Sequence, residues 1–233
     1  GVLNDLGGWS LALGGIASIG LLACVMFMWL LPRSRHFVAQ PLSLRGLASN
    51  FKRHLMNPEL RILFLLSFLL MGCFVALFNY IGFYLSIEPF NLSSTVIGFL
   101  FLVYLFGILS SNWSGKLVTR FGPVRVLVGS LLIMLSGTVM CLIVWLPALI
   151  LGLALFTIGF FAAHAVASGL VGQKAGTARA QASALYLCAY YLGSSMLGYT
   201  GGWVWEHFGW QLLIICLGAC VVLAMLLLRQ LRI

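Results

Sequence analysis

Acidic residues are almost absent from this chain. Only 4 Asp and Glu occur among 233 residues, and charged residues of both signs make up 7% of the sequence. A soluble domain would carry about a quarter charged residues. Instead, 62% of the residues are hydrophobic and the mean hydropathy is +1.11. This composition excludes an ordinary soluble domain and indicates a chain that lies largely within a lipid bilayer.

Patterns that would support catalysis or metal binding are also missing from the sequence. The 6 Cys residues lie within apolar runs and have neither CxxC nor metal-ligand spacing. Cys216 and Cys220 share a helix face, but two thiols without a His or a carboxylate make a poor metal site. The sequence shows no nucleophile–base pair and no phosphate-binding loop. We therefore expect a protein that is not an enzyme and that uses no metal and no cofactor.

Long uncharged apolar runs, by contrast, are abundant. The sequence contains seven of them, each near the roughly 20 residues that a helix needs to cross the hydrocarbon of a bilayer. They cover residues 9–31, 62–87, 95–114, 126–146, 148–171, 182–200 and 211–228. The sequence therefore predicts an all-α polytopic membrane protein with seven transmembrane helices.

The basic residues predict how these helices are oriented. All 13 Lys and Arg fall in alternate connections or after the last run, whereas the opposite side holds Asp5, Glu88 and Glu206. Cytoplasmic loops retain Lys and Arg, so we expect the amino end outside and the carboxyl end inside a bacterial inner membrane. The net charge of +9 then encodes orientation. It indicates contact with the lipid bilayer and no nucleic-acid partner.

The first and last apolar runs share one pattern. Gly8-Trp9, an apolar run and basic residues recur as Gly209-Trp210, an apolar run and Arg229. Each run therefore closes a repeat, and parallel six-span halves are an architecture of secondary transporters. We expect the first helix to be the last helix of a preceding half, incompletely packed here. The other six helices should form one half, built from two parallel three-helix repeats.

A glycine-rich basic loop connects the third and fourth runs. Gly115 and Gly122 allow tight or left-handed turns, and Pro123 can begin the next helix. Arg120 can bond the carbonyls at a helix end. The loop resembles the GxLxDRxGRR signature of the major facilitator superfamily, in its second-half position. The match covers Gly115, Leu117, Arg120, Gly122 and Arg125, and Thr119 stands where the signature has Asp.

A second motif lies in the sixth run. Ser194, Gly198 and Gly202 follow the small-xxx-small spacing that lets two membrane helices approach closely. The stretch from Gly198 to Trp203 resembles the second-half echo of the glycine motif of drug-efflux facilitators, with Tyr199 in place of its proline. This resemblance implies an efflux-type antiporter.

The segment 32–61 is predicted to be a cytoplasmic amphipathic linker. Leu44, Leu47, Ala48, Phe51 and Leu55 make one apolar helical face, with basic residues around it. Such a helix lies in the membrane interface and directs its cations at anionic headgroups. Asn57, Pro58 and Glu59 then predict the N-cap and first turn of the next span.

The whole chain thus resembles the carboxyl-terminal part of a major facilitator superfamily transporter. The resemblance implies three parts: residues 1–31 as the last helix of a missing amino-terminal half, 32–61 as the linker, and 62–233 as the six-helix carboxyl-terminal half. It implies proton-coupled efflux of a small organic or lipophilic molecule by alternating access, with the missing half as partner. A seven-helix receptor-type protein or a non-transporting membrane subunit is the alternative.

Polar and aromatic residues within the spans are the candidates for substrate binding. His164 is the one His, Lys, Arg, Asp or Glu within a predicted span, and such a residue is a functional hypothesis by default. Thr157, Phe161, His164 and Ser168 share a helix face, while Gly152, Gly159 and Ala163 lie opposite. The candidates are His164, Thr157, Phe161, Asn79, Phe74, Phe78 and Tyr80, with Tyr104, Tyr186 and Tyr190 as weaker ones.

No carboxylate lies within a predicted span. If protons drive the transporter, either His164 carries them or the coupling residues lie in the missing half. Arg120 is expected at a cytoplasmic gate, where it would contact helix-end carbonyls, Glu59 or an acid of the missing half.

Overall fold

The computed structural model describes residues 2–31, 44–176 and 178–231, and within these ranges the regular structure is helical throughout. The elements are α1 (Val2–Leu30), α2 (Leu44–Met56), α3 (Pro58–Ser86), α4 (Ser94–Leu100), a 3-10 turn (Phe101–Val103), α5 (Tyr104–Phe121), α6 (Pro123–Met140), α7 (Leu146–Lys174) and α8 (Arg179–Leu228). Residues 32–43 of the predicted linker lie outside the described residues.

The helices in the described ranges provide seven membrane crossings. Six helical stretches are long and apolar enough to cross a bilayer, with α4, the 3-10 turn and α5 forming one stretch, Ser94–Phe121. The sixth stretch, α8, has 50 residues and bends at Gly209, whose φ is 76°. At 1.5 Å per residue it is about 75 Å long, enough to cross hydrocarbon of about 30 Å twice. The seven-helix prediction is confirmed; we call the parts of α8 before and after Gly209 α8N and α8C.

Local capping signals set several helix ends. Asn57 Oδ1 accepts hydrogen bonds from the backbone N–H groups of Glu59 (2.9 Å) and Leu60 (3.2 Å), so α3 begins at Pro58 as the capping pattern predicts. Gly122 has a φ of 81°, and α6 begins at Pro123. The prediction of a turn at Gly115 is wrong. That residue lies within α5, because the helical hydrogen bonds continue to Phe121 and Gly122 alone makes the turn.

The first long span of the bundle, α3, packs along both parts of α8. Ser67 Oγ donates to the Tyr186 carbonyl oxygen (2.9 Å), and Tyr80 Oη donates to that of Gly198 (2.8 Å), so α3 runs parallel to α8N. Farther along, the rings of Tyr84 and Trp210 stack at 4.5 Å. Cys73 meets Leu217, whereas Tyr84 meets Trp210, so α3 and α8C are antiparallel.

The other long span, α7, repeats this arrangement with α5 and α6. Ser110 Oγ of α5 donates to the Ile158 carbonyl oxygen (3.0 Å). Farther along both helices, Val118 of α5 and Gln173 of α7 line one groove. The two helices therefore run parallel. With α6 the order reverses, because Gly137 meets Gly152 and Met134 meets Gly159. We call α3, the α4–α5 span and α6 the first triplet, and α7, α8N and α8C the second triplet. The first helix of each triplet therefore packs against the second and third helices of the other triplet.

The two triplets are related by inversion, which corrects the expectation of parallel repeats. The contacts of Gly82 with Ile97 and of Phe74 with Tyr104 show that α3 is antiparallel to the α4–α5 span. Since α7 is parallel to α5, it runs opposite to α3. The reason is that three spans, an odd number, return the chain to the opposite side of the membrane before the second triplet begins.

Glycines bring the helix backbones into direct contact. A Cβ added at Gly193 would overlap the carbonyl oxygen of Phe68 in α3, and one added at Gly159 would lie 2.5 Å from the backbone N of Met134 and O of Ser130. Gly152 contacts the backbone of Gly137 in the same seam. Gly152 and Gly159 thus form the packing face that their small size predicts.

The first helix, α1, stands apart from this bundle. No residue in its most apolar 18-residue window, within Gly8–Leu30, is buried. Its main contact is with α4. Trp9 is 72% exposed and Trp29 85% exposed. The expectation that this helix is incompletely packed is confirmed.

The seam between α6 and α7 yields a matched pair of substitutions. Gly159→Ala should destabilise the protein by about 1–3 kcal/mol, because the added methyl group overlaps the α6 backbone. Gly169→Ala, in the same helix with no atom within 4 Å of the added Cβ, should be neutral or stabilising by about 0.5–1 kcal/mol. Thermal unfolding in detergent measures both. Equal melting temperatures for the two variants would contradict the close packing.

Candidate functional site

An aromatic cluster joins α3, the α4–α5 span and α7. The Phe74 ring lies 4.1 Å from Phe160, 4.8 Å from Phe78 and 5.4 Å from Tyr104, measured between centroids. Phe161 meets the edge of the Phe74 ring at 5.8 Å. Phe74 and Phe78 are 7% and 8% exposed, whereas Phe161 is half-buried. Three of the predicted binding residues therefore come together, with only Phe161 reaching the surface of the bundle.

His164 lies next to this cluster, between α7 and α8N. Its Nδ1 is 3.0 Å from Tyr186 Oη, a hydrogen bond whose direction depends on the histidine tautomer. The imidazole stacks on Phe160 at 6.0 Å and is 4.9 Å from the Tyr190 ring. The half-buried His164 thus has one specific polar partner, Tyr186 on α8N, and two further aromatic neighbours, Phe160 on its own helix and Tyr190 on α8N.

A small cavity opens beside this pair. Its volume is about 170 Å³, and its walls are His164, Ser168, Val171, Ser183, Tyr186 and Leu187. Ser168 bonds its own helix at the Ala165 carbonyl, so the imidazole, the phenol and the Ser183 hydroxyl supply the polar chemistry. The sequence reasoning missed Ser183. Its spacing from Tyr186 and Tyr190, three and then four residues on, is the helical periodicity that could have indicated a shared face.

Thr157 is not part of this cavity. Its side chain is fully buried, and among the described residues its Oγ1 is the buried side-chain polar atom without a hydrogen-bond partner. It shares a helix face with His164, but seven residues place the two about 10 Å apart along the axis. At the depth of Thr157 the neighbouring helices close over α7, whereas at His164 a gap remains.

The remaining candidates lie in the second half of α3 and face different helices. Tyr80 packs over Gly202 and bonds the Gly198 carbonyl, so it faces α8N. Phe78, two residues earlier, faces the α4–α5 span, because successive helical positions differ by about 100°. Asn79 is exposed, and Ser194 of the predicted packing motif in α8N is half-buried. The structure therefore divides the predicted set between two sides of α3, and the substrate-binding roles stay predictions.

At the basic loop that ends α5, the structure excludes one of the three partners expected for Arg120. The Arg120 guanidinium lies 5.1 Å from the centroid of the Phe121 ring and is exposed. Glu59 is bound by Lys174, with 2.9 Å between Nζ and Oε2. Glu59 is therefore not the partner of Arg120. Leu117 and Arg125 line an apolar groove of about 450 Å³ between α5, α6 and α7.

Seven crossings with interlocked inverted triplets define a bundle of the membrane-transporter class. Comparison with known families agrees: the family model of the Major Facilitator Superfamily matches residues 1–196 and 87–232. The chain belongs to the Major Facilitator Superfamily and is a multi-pass membrane protein. The receptor-type alternative gains no support from these matches.

The similar proteins are transporters by name. The MFS-type transporter YybF of Bacillus subtilis is 43% identical over 210 residues, which are 90% of this chain and 52% of that protein. The inner membrane transport protein YnfM of Escherichia coli is 43% identical over 91% of this chain and 51% of its own length. A transporter of Buchnera aphidicola is 40% identical over 90% of this chain. The chain spans about half the length of these relatives.

The His164–Tyr186 pair can be tested by a double-mutant cycle. Tyr186→Phe removes only the hydroxyl, and we expect it to couple with His164→Ala by roughly 0.5–1.5 kcal/mol, the net value of one hydrogen bond. Unfolding of the single and double variants in detergent gives the coupling energy. The control is Tyr190→Phe, since Tyr190 touches His164 through its ring and should show no coupling. Additive effects of Tyr186→Phe and His164→Ala would contradict the bond.

Proposed function

We propose that this chain is the carboxyl-terminal portion of a secondary active transporter of the bacterial inner membrane. The transporter exports a small organic or lipophilic molecule in exchange for protons, by alternating access. Residues 1–31 form the last helix of the other half, 32–61 the cytoplasmic linker and 62–233 the carboxyl-terminal half. Support comes from the family, from relatives about twice as long, and from the inner-membrane transport protein among them. The Lys- and Arg-rich side is cytoplasmic by the distribution of charge.

The observation that carries the proposal is the His164–Tyr186 pair at the wall of the α7–α8N cavity. A neutral imidazole has one donor and one acceptor nitrogen, whereas a protonated imidazole has two donors. When Nδ1 accepts, Tyr186 donates to it; after protonation, Tyr186 must turn its hydroxyl and accept. Gain of a proton therefore reverses this bond between α7 and α8N. Such a reversal couples protonation to the fit between the two helices.

Substrate contacts follow from exposure. Asn79, Phe161 and His164 are accessible or half-buried, so they meet the substrate first. Phe74 and Phe78 are buried, and in this proposal they contact the substrate only when the helices shift during alternating access. Thr157 then finds the hydrogen-bond partner that it lacks here. Aromatic faces with few polar groups suit a lipophilic substrate, whether neutral or cationic.

The unburied surface of α1 provides the contact with the other half. No residue of its most apolar 18-residue window is buried, and its main contact within the described residues is with α4. In the complete transporter this helix packs among the helices of the other half. The substrate site lies between the halves, near the middle of the membrane.

The test measures pH-dependent transport by the complete transporter in vesicles. We expect His164→Ala to lower substrate affinity by about tenfold, a loss of about 1.4 kcal/mol, and to flatten the dependence of transport over about pH 5.5–8, where histidine titrates. His207→Ala is the control, because His207 is exposed at the far end of α8N. Amounts of membrane-inserted protein are compared throughout. A wild-type affinity and pH profile in His164→Ala would remove this residue from the site.

A second prediction concerns Arg120 at the proposed cytoplasmic gate. Its guanidinium has no carboxylate partner within the described part of the chain, which leaves it free to engage an acid or helix-end carbonyls of the other half. Arg120→Ala should reduce the transport rate by about tenfold, the loss of one charge-assisted hydrogen bond. Arg179→Ala, an exposed cation at the same end, should leave transport near wild type. Equal rates in both variants would refute the gate.

A further inference from the structure

A large groove lies where α2 meets the start of α3 and the end of α8. Its volume is about 830 Å³, and its lining residues are Ser49, Lys52, Arg53, Met56, Asn57, Pro58, Glu59 and Gln230. This volume falls within the range of about 300–1,000 Å³ that is typical of ligand sites. We call it the α2 groove. It is far in sequence from the His164 cavity and shares no lining residue with it.

The α2 groove carries a positive charge. Lys52 and Arg53 line it, and within the described residues neither forms an ion pair. Its one carboxylate, Glu59, is neutralised by Lys174 at 2.9 Å. The helix α2 itself contains no acidic residue. Two uncompensated cations therefore face one concave surface, which favours an anionic occupant.

The groove also has an apolar part at the depth of the membrane boundary. Met56, which is 67% exposed, and the exposed Pro58 form this part of the lining. The groove lies between the beginning of one membrane span, at Pro58, and the end of another, at Leu228. Hydrocarbon ends near these residues, so an occupant there meets lipid tails on one side and water on the other.

Specific contacts hold α2 in place and so keep the groove open. His54 is 2% exposed, and its Nε2 is 3.2 Å from the Ala178 carbonyl oxygen. Asn50 Nδ2 donates to Gln181 Oε1 at 3.2 Å. These bonds connect α2 to the beginning of α8N, so α2 is anchored to the bundle and is not a freely floating interfacial helix. The cations of α2 are thus fixed relative to the ends of α3 and α8.

The geometry points to the α2 groove as a binding site for one anionic phospholipid. Its phosphodiester headgroup lies between Lys52 and Arg53, and the upper part of its acyl chains lies along Met56 and Pro58. A free phosphate satisfies the two cations but leaves the apolar wall wet. A zwitterionic lipid satisfies the wall but brings its own cation. Only an anionic amphiphile matches both parts. The site goes beyond the proposed function, because it depends on no transported substrate.

The experiment titrates lipid into the purified protein in detergent and follows the melting temperature and, by native mass spectrometry, the number of bound lipids. Phosphatidylglycerol should stabilise the protein and bind at one saturable site. Lys52→Gln/Arg53→Gln should weaken this binding by about 30-fold, or about 2 kcal/mol for two cations. The control Lys116→Gln/Arg120→Gln removes the same charge outside the groove and should keep wild-type affinity. Size-exclusion profiles confirm that both variants are folded.

Three results would overturn the assignment. An equal loss in both double variants would show that general surface charge attracts the lipid. Equal stabilisation by phosphatidylcholine would show that the cations are not used. Equal stabilisation by glycerol phosphate, which has the headgroup chemistry without acyl chains, would identify a soluble anion as the occupant. Met56→Gln provides a second variant, which should weaken phosphatidylglycerol while leaving the weak binding of glycerol phosphate unchanged.

Discussion

Van der Waals contact between helix backbones at glycine holds this bundle together, because lipid supplies no hydrophobic force that would drive one apolar helix against another. Gly193 lies against the Phe68 backbone, and Gly159 lies against that of Met134. One contact joins α3 to α8N, and the other joins α6 to α7. Each fixes the rotation of a long helix about its own axis. That rotation decides that His164 faces Tyr186 and the cavity beside them.

The same medium governs the polar groups. A hydroxyl inside hydrocarbon needs a hydrogen-bond partner, and several here find one on a backbone carbonyl: Ser130 on its own helix, Ser67 across to α8N. Trp210 Nε1 donates to the Cys141 carbonyl at 2.8 Å and thereby joins the bend of α8 to the α6–α7 connection. Thr157, which lacks such a partner, stands out against this background. Thr157 lies on α7, the helix that carries His164. Thr157 and the candidate site therefore move with the same helix in the proposed mechanism.

Local signals in the sequence predicted much of this architecture. The capping of α3 by Asn57 and the turn at Gly122 before Pro123 depend on nearest neighbours, and both were predicted correctly. The run 126–146 was predicted too long, because hydropathy does not distinguish the apolar turn after Met140 from a helix. Gly115 was misjudged since a glycine in a helix and one in a turn look alike without dihedral angles. Lys174, not Arg120, holds Glu59, because side chains pair by position in space.

The sequence by itself determined the number of crossings and the capped ends of the helices. Each depends on the length of an apolar segment or on neighbours a few residues away. The thickness of the bilayer and the need to satisfy backbone hydrogen bonds act directly on such local features. Only the tertiary structure decided that α3 packs against both parts of α8, that Tyr80 and Phe78 face different helices, and that His164 meets Tyr186. It also turned Asn50 and His54 of α2 toward α8N. These features depend on which helix lies opposite, and in a chain apolar on nearly every face, hydropathy does not distinguish one neighbour from another.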